Sequence, residues 1–91
     1  MYRIIDARGS GKTSRLMLLA KETGSIIACS NPSAMRQKAY AYGITGIEFI
    51  SYRDLFTDNY DDEKIMIDEL EAFAQYCIDA QLTGYTLSNE D

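Results

Sequence analysis

Short continuous apolar runs alternate along this chain with longer segments in which apolar residues recur at helical spacing. The clearest run is Ser25, Ile26, Ile27, Ala28 and Cys29, bounded by Gly24 on one side and by Ser30, Asn31 and Pro32 on the other. A run without polar alternation predicts a strand buried on both faces, as in a parallel sheet. Residues 2–5, 47–50 and 64–67 predict three more strands, and Tyr85, Thr86 and Leu87 a fifth that ends at Ser88 and Asn89. Between them, residues 12–22 read as a helix with Leu16, Leu19 and Ala20 on one face, stopped by Thr23 and Gly24. A second helix starts at Pro32, capped by Ser30 or Asn31, and runs to about Tyr42 before Gly43 ends it. Residues 51–56 make one helical turn, and Asp58, Asp61 and Asp62 mark a solvated loop. Residues 69–82 predict a last helix with Leu70, Phe73, Ala74, Cys77 and Ile78 at core spacing, broken by Gly84.

Strands alternating with helices predict an α/β fold: a three-layer αβα sandwich with a mostly parallel sheet of about five strands and right-handed crossovers. At 91 residues the chain forms a single domain, residues 1–91, burying roughly 60–65% of its unfolded surface. Ligands in such sheets bind beyond the carboxyl ends of the strands, where Asp6, Asp68, Ser88 and Asn89 are expected.

The most specific chemistry lies in residues 6–13, which match the pattern Gly-x-x-x-x-Gly-Lys-Ser/Thr everywhere but the first position, where Asp6 replaces glycine. Gly9 and Gly11 permit positive φ, so backbone N–H groups can turn inward around a phosphate at the start of a helix. Lys12 would pair with the β- and γ-phosphates, and the Thr13 hydroxyl would join the shell of a bridging Mg²⁺. Arg8, Gly9, Ser10, Gly11, Lys12, Thr13 and Ser14 are therefore the candidate nucleotide-binding residues. A flexible turn beside a surface lysine is the plainer alternative. Asp6 opposes tight binding because its carboxylate repels a triphosphate, although Asp tolerates turn geometry.

A second segment carries complementary chemistry. Lys64, Ile65, Met66 and Ile67 lead into Asp68 and Glu69, so two acids follow an apolar strand. Asp68 would sit on the metal side, and Glu69 would accept a proton from an attacking water. Alternatively, Asp68 caps the next helix, with Glu69 and Glu71 in its first turn.

Composition narrows the classes. Fourteen acidic against nine basic residues give a net charge of −5, which disfavours broad attraction to a nucleic-acid backbone. Histidine is absent, excluding imidazole acid–base chemistry and His metal sites. Cys29 and Cys77 stand apart and read as buried thiols in a reducing compartment. No apolar run approaches a membrane span or a signal peptide, so a soluble cytoplasmic protein is expected, in the host cytoplasm if viral.

On four stretches the chain resembles the P-loop NTPase superfamily, specifically the minimal RecA-like core of helicases and terminases found in small phage-encoded P-loop proteins. These are Arg8 through Thr13; Ala28, Cys29 and Ser30; Ile50 through Leu55; and Met66, Ile67, Asp68 and Glu69. The resemblance implies a P-loop NTPase-like fold, ATP and Mg²⁺ as cofactors, and slow or partner-activated hydrolysis. It makes residues 6–13 the Walker A loop and Asp68 and Glu69 the Walker B acids, with Lys12 and Glu69 catalytic and Thr13 and Asp68 at the metal. By position, Ser88 or Asn89 would sense the γ-phosphate; Arg8, in the loop itself, could contact it in cis and Arg53 could serve a neighbouring subunit, the plainer alternative for each being a solvated arginine. ATP is preferred over GTP by resemblance, since the chain has no Asn-Lys-x-Asp guanine motif. The competing expectation is a degenerate relic that has lost nucleotide through Asp6 and acts as an acidic protein-interaction module, for instance against a host ATPase or defence protein. Tyr40, Tyr42, Tyr52 and Tyr60 would then supply contacts. A nucleic-acid accessory role has only Arg36 and Lys38 behind it.

Overall fold

The computed structural model describes residues 1–5 and 11–88. Along the chain come α1 (Lys12–Thr23), β1 (Ile26–Cys29), α2 (Pro32–Ala41), β2 (Phe49–Ser51), α3 (Asp54–Thr57), β3 (Ile65–Ile67) and α4 (Leu70–Tyr76). The three strands are parallel in the order β2-β1-β3. Ile27 sits opposite both Phe49 and Met66, and Ala28 opposite both Ile50 and Ile67.

This order explains why β1 is apolar throughout. Paired on both edges and covered on both faces, all four of its residues are buried. Ile27 and Cys29 pack with Met17 and Ala20 of α1, Met35 and Ala39 of α2, and Phe49. Ile26 and Ala28 pack on the other side with Ile50 and Tyr52, against Leu55 of α3 and Phe73 of α4. Two helices therefore cover each face, with β1 in both cores.

Local chemistry sets the helix ends. Asn31 caps α2, its side chain accepting from the Ala34 N–H at 3.1 Å, and Pro32 fills the first turn, where no N–H is needed. Gly24 closes α1 at φ 70°, its N–H returning to the Ala20 carbonyl.

The expected P-loop NTPase-like sheet of about five strands does not form: among the described residues the sheet has three strands, and this architecture establishes no P-loop fold. Residues 2–5 and 85–87 join no ladder, and Tyr2, Ile5, Tyr85 and Leu87 are exposed. Their surroundings engage them elsewhere. The Tyr85 phenol bonds the Glu71 carboxylate on α4, and the Arg3 guanidinium donates to the Ser88 carbonyl. The last helix also stops at Tyr76 rather than near Leu82. There the Gln75 amide donates to the Ala80 carbonyl and accepts from the Leu82 N–H, both at 2.8 Å, bridging a turn that is no longer helical. Of the residues at core spacing in that segment, Phe73 and Ala74 are half-buried, while Leu70, Cys77 and Ile78 are exposed. Cys77 is thus not the buried thiol expected; Cys29 is.

Candidate functional site

Lys12 opens α1 directly after Gly11, whose φ of 83° lies where side chains with a Cβ are strained. A Cβ on Gly11 would meet only the Ser14 Oγ, at an ordinary 3.7 Å, so backbone conformation rather than crowding selects glycine. The Ser14 hydroxyl turns back to donate to the Gly11 carbonyl at 2.9 Å, which makes it part of the helix start. Thr13 is half-buried in the same turn. Asp6, Arg8, Gly9, Ser10 and Asn89 lie outside the described residues.

Asp68 and Glu69 follow β3 at its carboxyl end. The Asp68 N–H donates to the Ala28 carbonyl at 2.9 Å, carrying the ladder one residue beyond the strand. Glu69 then takes φ 60°, the one positive φ outside glycine among the described residues. It occupies the N-cap position of α4 with no side-chain cap bond, so Asp68 is not the cap considered from sequence. This left-handed turn accompanies an ion pair, with the Lys12 Nζ 3.4 Å from the Glu69 Oε1. Segments remote in sequence thus meet: the start of α1 and the acidic end of β3.

The electrostatics favour a cation here. Burial, and then the neighbouring Glu69 charge, hold the Asp68 carboxyl above its ordinary 3.8, against the smaller pull of Lys38 and Lys12. A carboxylate kept partly desolvated beside a second carboxylate gains from added positive charge. Among the described residues, no group of three or more His, Cys, Asp or Glu is placed to hold a metal by itself. The Lys12 and Glu69 side chains are 29% and 53% exposed, and an ion pair this accessible is worth about 0–1 kcal/mol. Lys12 can therefore exchange Glu69 for another anion at small cost.

Sequence reasoning missed the residue beneath the acidic turn. Tyr52 follows β2 and is buried, its ring edge-on to Phe73 with centroids 5.3 Å apart. It is therefore not one of the exposed contact tyrosines; Tyr40 and Tyr42 are exposed, and Tyr60 is half-buried. Its hydroxyl donates to the Asp68 carbonyl at 2.6 Å and reaches the Glu69 carbonyl at 3.4 Å. Burial, followed by the Asp68 charge, pushes this phenol up to about 12. A signal was present in the spacing of Ser51 and Asp54, a capping-box pattern. The Asp54 N–H donates to the Ser51 Oγ at 3.2 Å, and the Ser51 N–H to the Asp54 Oδ2 at 3.1 Å, fixing the corner that carries Tyr52. Arg53, the residue assigned to a neighbour's site, lines an open cavity of about 350 Å³ with Ser30, Ser51, Tyr52, Gln75 and Tyr76. Ser88 is engaged through its carbonyl by Arg3.

Among the described residues, no helix is long and apolar enough to cross a membrane. Comparison with family models, curated proteins and solved structures finds nothing that matches this chain.

Proposed function

We propose that the chain binds a nucleoside triphosphate with Mg²⁺ where the start of α1 meets the carboxyl end of β3. One observation carries this reading: the 3.4 Å approach of Lys12 to Glu69. It joins a phosphate-type Gly-Lys-Thr turn to a metal-type Asp-Glu pair that lies far downstream in the sequence. Lys12 holds the phosphates after leaving Glu69, and the N–H groups opening α1 add donors and a favourable dipole. Thr13 and Asp68 would hold the Mg²⁺, which would supply neutralisation of phosphate charge. Released from Lys12, Glu69 is free to accept a proton from water. Turnover is slow or depends on a partner that supplies an arginine, which accelerates transfer at such a site by about 10³–10⁵. A cytoplasmic location, where ATP and Mg²⁺ abound, fits this activity.

Calorimetric titration with ATP and Mg²⁺ tests the proposal. Wild type should bind saturably, and Lys12→Ala should abolish the binding heat while the fold persists. Asp6→Gly should tighten binding by removing a like charge. If wild type shows no saturable binding at millimolar nucleotide, the phosphate-site reading fails. The acidic interaction module then stands, with Phe56 and Tyr76, exposed and stacked at 6.2 Å between centroids, as its first contacts to test.

A further inference from the structure

We propose that Tyr52 is a positioning residue for the metal side of this site, its hydroxyl holding the Asp68–Glu69 turn so that Glu69 faces Lys12. The inference rests on the phosphate-site reading but draws on geometry at the other edge of the sheet. β1 lies between β2 and β3, so a side chain leaving the end of β2 must cross the carboxyl end of β1 to reach the residues after β3. Tyr52 is long enough to do so, and its ring is fixed on the way. The reciprocal Ser51 and Asp54 bonds set its backbone, and Phe73 and Tyr76 flank the ring at 5.3 and 5.8 Å.

What the hydroxyl meets is the least self-sufficient stretch of the site. Glu69 is left-handed without being glycine, and no side chain caps α4. Such a conformation persists only where its surroundings impose it. The hydrogen bond at 2.6 Å to the Asp68 carbonyl fixes the peptide joining the two acids, and the Glu69 carbonyl, 3.4 Å from the same oxygen, also accepts the first helical bond of α4, from the Phe73 N–H. One phenol thereby orients both carboxylate-bearing residues. Groups that orient metal ligands in this way are typically worth 10–100-fold in metal affinity.

Tyr52→Phe keeps the ring and removes only the hydroxyl. Phe56→Leu thins the same aromatic cluster without touching the turn, since Phe56 stacks on Phe73 at 6.0 Å. ATP binding is measured for wild type and both variants with Mg²⁺ and with Mg²⁺ chelated, and amide exchange is followed at Asp68 and Phe73. Tyr52→Phe is expected to lose about tenfold of the Mg²⁺-dependent gain in affinity, with metal-free binding unchanged and both amides exchanging faster. Phe56→Leu should keep the gain. If Tyr52→Phe keeps the full gain, or loses metal-free and metal-dependent binding in equal measure, the positioning role is overturned. If wild type binds neither form, the phosphate-site reading falls on its own and exchange decides for Tyr52: faster exchange in Tyr52→Phe upholds its hold on the turn, unchanged exchange overturns it.

Discussion

Glu69 holds a backbone conformation that side chains with a Cβ disfavour by about 1–2 kcal/mol. The carboxylate itself returns little of that, because its exposed partnership with Lys12 is worth about 0–1 kcal/mol. Backbone stability alone would therefore favour glycine at this position. Comparing Glu69→Gly with Glu69→Ala isolates the backbone term, since both lose the same carboxylate. Urea denaturation should find the glycine variant more stable by about 1 kcal/mol, as the mismatch of alanine with positive φ exceeds the greater chain entropy glycine gives the unfolded state. Equal midpoints would mean that the left-handed turn is not held in solution. The residue patterns that single out Lys12 and the acidic pair are visible in the sequence, and the structure brings Lys12 and Glu69 together. The role of Tyr52 was not legible there, because it depends on two strands being separated by a third, which no local spacing encodes.

Elements specified by both pattern and punctuation were readable. α1 and α2 begin and end where Gly11, Gly24, Asn31, Pro32 and Gly43 direct, and the unbroken apolar run of β1 became the central strand. The unreadable elements had pattern alone. Residues 85–87 are β-prone, yet a strand needs an edge to pair with, and the Tyr85 phenol is drawn to Glu71 instead. The segment after Glu69 has helical periodicity, but only Phe73 and Ala74 of the expected stripe find cover. Two substitutions separate these cases. Asn31→Ala removes the side chain that accepts from the Ala34 N–H and should destabilise the domain by about 1 kcal/mol. Ile78→Ser alters an exposed position beyond α4 and should change stability by less than about 0.5 kcal/mol. Comparable losses in thermal unfolding would show that the segment after α4 packs more closely than this arrangement allows.

At the scale of the whole molecule, a net charge of −5 and the absence of histidine leave a distinctive pH response. No imidazole contributes between about pH 5 and 8, the range in which histidine usually dominates. Asp68 is a carboxyl whose folded state departs upward from its ordinary value. Its folded carboxyl is held above the 3.8 it has when unfolded, chiefly by burial and then by Glu69. The folded chain therefore binds more protons than the unfolded one from 3.8 upward, and the slope of stability against pH is negative there. The contribution is fully present below 3.8 and is lost as pH rises through the folded value. Asp68→Asn, uncharged at every pH, removes this slope. Its stability should match wild type in acid and come to exceed it as pH rises from 3.8 through the folded value of Asp68, measured by urea denaturation across the range. Parallel curves for the two proteins would show that Asp68 is as well solvated folded as unfolded. In the proposed site the same group faces Mg²⁺, which favours the carboxylate, so metal and triphosphate together should flatten the wild-type curve toward that of Asp68→Asn and release protons on binding. The carboxylate that weakens the empty fold is then the one that the bound metal makes favourable, which links the stability of the domain to occupancy of its site.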